Sequence, residues 1–177
     1  RCHYCGFTQP VVSQCATCNN KGIELIGYGT ERIEDELSLY LPDLKIKRMD
    51  YNTTRLKNSH TKLIQEFAAG KVDVLIGTQM VAKGLDFENV TTVGILNADH
   101  LINFPDFRAN ERAFQLITQV AGRAGRRKEQ GKVYIQTSKP DHFVIKQILE
   151  NDYQGMYEAE LAERSEYDYP PFFRLIK

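Results

Sequence analysis

The run VDVLIG (residues 72–77) decides the fold. It is an almost unbroken apolar stretch of strand length, as expected of a strand buried on both faces of a parallel sheet. The chain alternates around it. IELIGYG (23–29) reads as a strand, and KIKRM (45–49) as a short one. Between them, Thr30 can cap a helix whose one face carries Ile33, Leu37 and Leu41, with Pro42 past its end. Leu56, Leu63, Ile64 and Phe67 form the stripe of a second helix, with Gly70 as its C-cap. VTTVGIL (90–96) and GKVYIQT (131–137) are further strands. A helix over 110–124 turns Phe114, Ile117, Val120 and Ala121 inward, and helices fill 141–150 and 152–165. Strands separated by helices of this length imply βαβ units, hence an α/β fold with a parallel sheet flanked by helices.

Composition limits the function classes. Of 177 residues, 42% are hydrophobic and 26% charged, an ordinary balance for a soluble globular protein. The formal net charge is zero, so any nucleic-acid binding must come from local sites rather than bulk attraction. No apolar run is long enough to span a membrane, and no signal peptide is visible. The chain begins at Arg1 and ends just after an apolar YPPFFRLIK, which reads as a piece of a longer protein.

In parallel sheets, ligands gather at the loops after the carboxyl ends of the strands. The loop GTQMVAKGLDFEN (77–89) follows VDVLIG and holds Thr78, Gln79, Lys83 and Asp86. A second polar feature is QVAGRAGR (119–126), where Arg123 and Arg126 each follow a glycine. Arginine is always charged and its planar fork matches phosphate. Residues i and i+3 share a helix face, and glycine lets a large ligand come close to the backbone. The stretch reads as a two-armed phosphate grip. The G-x-x-x-x-G-K-[ST] cradle and metal-holding acidic pair that would complete a nucleotide site are absent from the sequence. The simplest resolution is that the cradle lies on another domain and these arginines reach into it across a cleft.

The first 22 residues hold all four cysteines, as Cys2-x₂-Cys5 and Cys15-x₂-Cys18. Thiolates at this spacing can bind tetrahedral zinc from a tight turn. Only nine residues separate the pairs, fewer than the roughly 15–20 of a self-contained four-cysteine site. They could share one ion, bind between molecules, or be disordered. Unpaired thiols are the bland alternative, and His3 beside Cys2 reads as a surface histidine.

GTQMVAKGLDF, VTTVGILNAD and QVAGRAGR, in this order, resemble motifs V and VI of superfamily 2 helicases. The fuller wording is narrower. GYGTE (27–31), LIGTQMVAKGLDF (75–87), NADHLINFPDFRANER (97–112) and YPPF (169–172), with the paired CxxC motifs, resemble the primosomal protein N′ (PriA) family of replication-restart helicases. The resemblance covers essentially the whole chain. It implies part of a zinc-binding region at 1–22, the RecA-like second lobe of a helicase at 23–165, and the start of a further domain at 166–177.

The activity it implies is ATP-dependent 3′→5′ unwinding of DNA at stalled forks. Forked and single-stranded DNA, primosome proteins and single-stranded DNA-binding protein would be partners, in the bacterial cytoplasm. By the same resemblance Arg126 is the arginine finger, Arg123 its γ-phosphate-sensing partner, and Gln119 orients the nucleotide or the attacking water. Gly84 and Asp86 approach the nucleotide sugar. Thr78, Gln79, Lys83 and Thr30 lie where the DNA backbone passes. ATP and Mg²⁺ would be held through the other lobe, and the cysteines Cys2, Cys5, Cys15 and Cys18 would be half-sites for two zinc ions completed by upstream cysteines. The chain alone would then be inactive. Two rivals stay open: a zinc-ribbon scaffold on a Rossmann-like domain without ATP chemistry, and an RNA helicase lobe. For Arg108, Glu111 and Arg112, local ion pairing is the expectation.

Overall fold

The structure, a computed structural model, describes residues 7, 12–21, 29–50, 59–82, 89–125 and 130–175. The expected strand over 23–29 falls outside them, apart from Gly29. The first described helix, α1 (Thr30–Tyr40), leads to strand β1 (Ile46–Met49). Helix α2 (Ser59–Ala68) follows and then β2 (Val74–Gly77). α2 stops because Gly70 takes a left-handed φ of +69°, which glycine adopts without strain. Its amide donates to Phe67 O and that of Lys71 to Glu66 O, closing the paired bonds of a Schellman end.

A one-turn helix α3 (Gln79–Ala82) follows β2 directly. Next come β3 (Thr92–Ile95), the short α4 (Asp99–Ile102), α5 (Ala109–Ala121) and β4 (Lys132–Ile135). The chain continues through α6 (Phe143–Glu150) and α7 (Tyr153–Glu166).

Both strand pairs are parallel, as expected. β1 runs beside β2 with Met49 opposite Gly77, and β3 beside β4 with Ile95 opposite Ile135. Among the described residues these are two separate two-stranded ladders rather than one sheet. Accordingly β2 is only half covered: Ile76 is buried, whereas Val74 and Leu75 are partly exposed.

The main core lies where α4, α5, α6 and α7 meet β3 and β4. Ala98, Ile102, Ala113, Phe114, Ile117, Val144, Ile145 and Met156 are buried together there. Phe114 and Ile117 face inward as their spacing requires, while Val120 and Ala121 are only partly covered. A smaller cluster surrounds the fully buried Met49, with Leu63, Ile64 and Phe67 from α2, and with Leu75, Val81 and Val90.

α5 ends at Ala121, with Gly122 as its C-cap. The expected helix over 110–124 is therefore shorter at its end. Arg123 sits in the turn beyond it rather than on the expected helical face, and Arg126 lies outside the described residues. The two Gly-Arg steps account for this, since glycine is a poor helix former.

The local ion pairs expected of PDFRANER form at Arg108 and Arg112, whereas Glu111 pairs outside the segment, with Arg164 of α7. Asp106 takes Arg112 at 2.8 Å and Arg108 at 3.4 Å, and Glu111 takes Arg164 at 2.7 Å. The tail beyond α7 docks on the same segment: Tyr169 stacks on Phe107 with ring centroids 5.0 Å apart.

Candidate functional site

The carboxyl end of β1 carries a polar cluster. Arg48 and Asp50 are two residues apart and so point to the same side of the strand. That side faces α1. Arg48 Nε lies 3.4 Å from Glu34 and 3.2 Å from Asp50. Thr30 Oγ1 donates to Asp50 Oδ2 at 2.7 Å. Asp50 is buried, so these partners offset the cost of removing its charge from water.

This corrects the capping role expected of Thr30: Gly29 is the N-cap and Thr30 is already inside α1. The hydroxyl's single proton is directed to Asp50, not outward. Asp50 and Arg48 were not picked out from the sequence. The signal was there in an acidic residue directly after a strand, two positions from an arginine.

β2 ends beside this cluster. The Met49–Gly77 register places Thr78 next to Asp50 along the edge. Thr78 and Gln79 are exposed. Gly77 is needed for the tight exit: a Cβ there would overlap the Val81 side chain and approach Met49 O to 2.9 Å. Lys83, Gly84 and Asp86 lie outside the described residues.

α3 packs against α5, which brings the loop after β2 to the helix carrying Gln119. Gln119 is exposed near the end of α5, and Arg123 is half-buried just past it. The turn bearing Arg123 is held from two directions. Gly125, with φ +76°, donates its amide to Val90 O at 2.9 Å. Val90 packs on Met49, the last residue of β1, so it links the turn to the β1–β2 edge. From the other side Gly131, just before β4, lies against the backbone of Ala124 and Gly125 so closely that a Cβ would overlap it. Arg126 lies outside the described residues, directly after this clamped turn.

A third polar cluster ties the carboxyl ends of β3 and β4. Asn97 takes a φ of +52°, an orientation asparagine tolerates, and Asp99 follows at the head of α4. Its carboxylate accepts from Ser138 Oγ at 2.6 Å, Ser138 N at 2.8 Å and Thr137 Oγ1 at 2.5 Å. Hydrogen bonds from Ser138 and then Thr137 hold Asp99 well down, at about 2 against an ordinary 3.8. Because the folded value is the lower one, Asp99 favours the fold above pH 3.8, and this contribution fades as pH falls toward 2. Urea unfolding across that window should show the midpoint dropping more steeply for the wild type than for Asp99→Asn; parallel profiles would remove Asp99 from the acid response.

At the amino-terminal end, Cys15 and Cys18 form a knuckle. Asn19 N donates to Cys15 O, and Cys15 N to Asn20 O, both at 2.9 Å. Hydrogen bonds from Cys18 and Thr17 lower the Cys15 thiol to about 7. A turn that favours thiolate fits two ligands of a tetrahedral zinc site. Among the described residues, no group of three or more possible ligands comes together. Cys2 and Cys5 lie outside them. No described helix is long and apolar enough to cross a membrane.

Residues 17–128 match the helicase conserved C-terminal domain. The chain is 49% identical over 175 residues to the replication restart protein PriA of Bacillus subtilis, covering 99% of this chain and 22% of that protein. It is 43% identical to PriA of Synechocystis, with 99% and 21% covered, and 42% identical to PriA of Borreliella burgdorferi, with 99% and 26% covered. The chain thus spans about a quarter or less of the length of these relatives. With the helicase match over most of the described strands and helices, the chain belongs to the helicase conserved C-terminal domain family, and it resembles replication restart proteins along nearly its whole length.

Proposed function

We propose that the chain is the second motor lobe of an ATP-dependent 3′→5′ DNA helicase that restarts replication at stalled forks in the bacterial cytoplasm. The observation that carries this reading is the clamped turn at the end of α5. It holds the backbone at Arg123 through Val90 and Gly131, and Arg126 is the next residue after Gly125 in the sequence. A rigid mount suits a guanidinium that must meet a phosphoryl group in a defined place, since misplacement is costly in rate.

In this reading the nucleotide and its Mg²⁺ are held mainly by another lobe. Arg126 enters as the finger, Arg123 senses the γ-phosphate, and Gln119 orients the nucleotide or the attacking water. Gly84 and Asp86 approach the sugar. Thr78, Gln79 and Lys83 meet the backbone of the tracking strand, which carries no sequence information. Thr30 stands at the same edge, its hydroxyl positioned by Asp50. Lobe closure on ATP and reopening after hydrolysis would move the chain along DNA. This lobe alone neither hydrolyses ATP nor unwinds.

Cys15 and Cys18 form half of one zinc site, and Cys2 and Cys5 half of another, each completed by cysteines elsewhere in the longer protein. Bound zinc would supply a structural cross-link at this end. Metal analysis of the purified chain should then find no more than one ion per molecule; two well-occupied ions would contradict the half-site arrangement. Forked DNA, primosome proteins and single-stranded DNA-binding protein are the proposed partners.

The test is ATP hydrolysis by the complete protein with single-stranded DNA, with RNA of the same sequence, and with neither. Stimulation by DNA and little by RNA supports the reading. Equal stimulation would favour an RNA helicase, because the 2′-hydroxyl would then be accepted. An absence of hydrolysis under all three conditions would leave a scaffold.

A further inference from the structure

We propose that Thr30 serves the tracking strand as a positioning residue and does not touch it: with Asp50 and Arg48 it latches α1 to the end of β1, and so sets the edge from which Thr78 meets the DNA backbone. The inference rests on the motor-lobe reading above.

The Thr30 hydroxyl has one proton, and it goes to Asp50 Oδ2 at 2.7 Å. A bond to a carboxylate is among the stronger side-chain hydrogen bonds. Phosphate oxygens only accept, so a contact from Thr30 Oγ1 would need that same proton. Giving it up would take a donor from a carboxylate whose residue is only 8% exposed, which is costly.

Charge points the same way. Arg48 Nε lies 3.4 Å from Glu34 and 3.2 Å from Asp50, and Arg48 Nη1 lies 3.8 Å from Glu31. Among the described residues, three carboxylates thus meet one guanidinium, which leaves this corner negative. Glu31, the exposed neighbour of Thr30 in the chain, is one of them. Such a corner repels phosphate.

The same contacts make a good latch. Thr30 and Glu34 lie one turn apart on α1, and they bridge to Asp50 and Arg48 respectively. Two bridges from one helix face to one strand end resist both sliding and rotation. α1 packs on β2 as well as β1. Met49 stands opposite Gly77, so holding Asp50 holds the ladder end from which the chain turns out to the exposed Thr78.

The test is the affinity of the complete protein for oligothymidylate, with the DNA concentration for half-maximal ATP turnover measured alongside. Thr30→Val keeps the branched shape and removes the proton. It should weaken binding about threefold or more, and Thr30→Ser should restore it. The loss should raise the half-maximal DNA concentration rather than lower turnover at saturating DNA. Asp50→Asn separates latch from contact. If Thr30 touched phosphate, removing the charge and freeing the hydroxyl would tighten binding. The latch predicts weaker binding, and no further loss when Thr30→Val is added. Should Asp50→Asn not fold, Glu31→Gln repeats the comparison from the solvent side. Tightening by about threefold or more would then place phosphate at Thr30, whereas affinity within about twofold supports the latch. Tighter binding by Asp50→Asn, additive losses, or wild-type affinity in folded Thr30→Val would overturn the proposal. If wild-type turnover ignored DNA, the motor-lobe reading would fall and the latch with it; DNA-dependent turnover with any of the preceding results removes the latch alone.

Discussion

Replacing Arg126 with alanine in the complete protein is expected to lower DNA-stimulated ATP turnover by on the order of 10³-fold or more. A finger arginine neutralises charge that develops only as the γ-phosphoryl group leaves. Its removal should raise the barrier while leaving ground-state binding of ATP and DNA within about threefold. Lysine should not rescue it, because an ammonium cannot reproduce the planar fork. The comparison requires turnover and both affinities on the same preparation. Loss confined to ATP affinity would make Arg126 a ground-state phosphate contact. Unchanged turnover would remove the finger altogether and bring the scaffold reading forward.

The second large effect concerns the mount rather than the finger. Gly131→Ala should destabilise the chain by about 3 kcal/mol. That corresponds to a melting temperature lower by roughly 6–12 °C at this length. The added methyl would overlap the backbone of Ala124 and Gly125, which cannot swing aside as a flexible side-chain tip could. The turn must therefore shift, straining the bond from Gly125 to Val90 O. Gly94→Ala provides the control, because no atom lies within 4 Å of a Cβ there. Matching melting temperatures for the two variants would show that the turn yields easily. In the complete protein, turnover of the Gly131 variant should fall further than its folded fraction does, since Arg123 sits in the displaced turn.

Local rules carry much of this architecture. The Gly70 helix end, the run of β2 and the inward faces of Phe114 and Ile117 are where periodicity and turn chemistry place them. The paired CxxC spacing and the Gly-Arg steps were visible as well, because such chemistry depends on neighbours a few residues apart. The end of α5 differs for the same kind of reason: apolar spacing extends the helix to 124, but the glycines beyond Ala121 end it.

Sequence by itself therefore determined the order of the longer helices and of the described strands and their parallel pairing, though not the one-turn helices α3 and α4, and it singled out residues whose side-chain types suit phosphate or metal. Tertiary structure decided what holds those residues. Thr30 finds Asp50 across 20 residues, Asp99 finds Thr137 across 38, and Arg164 finds Glu111 across 53. No local pattern encodes such pairings, because each depends on which strand ends and helix faces packing has already brought together. The same holds for Gly131, whose missing side chain has meaning only where the backbone of Ala124 and Gly125 comes to lie against it.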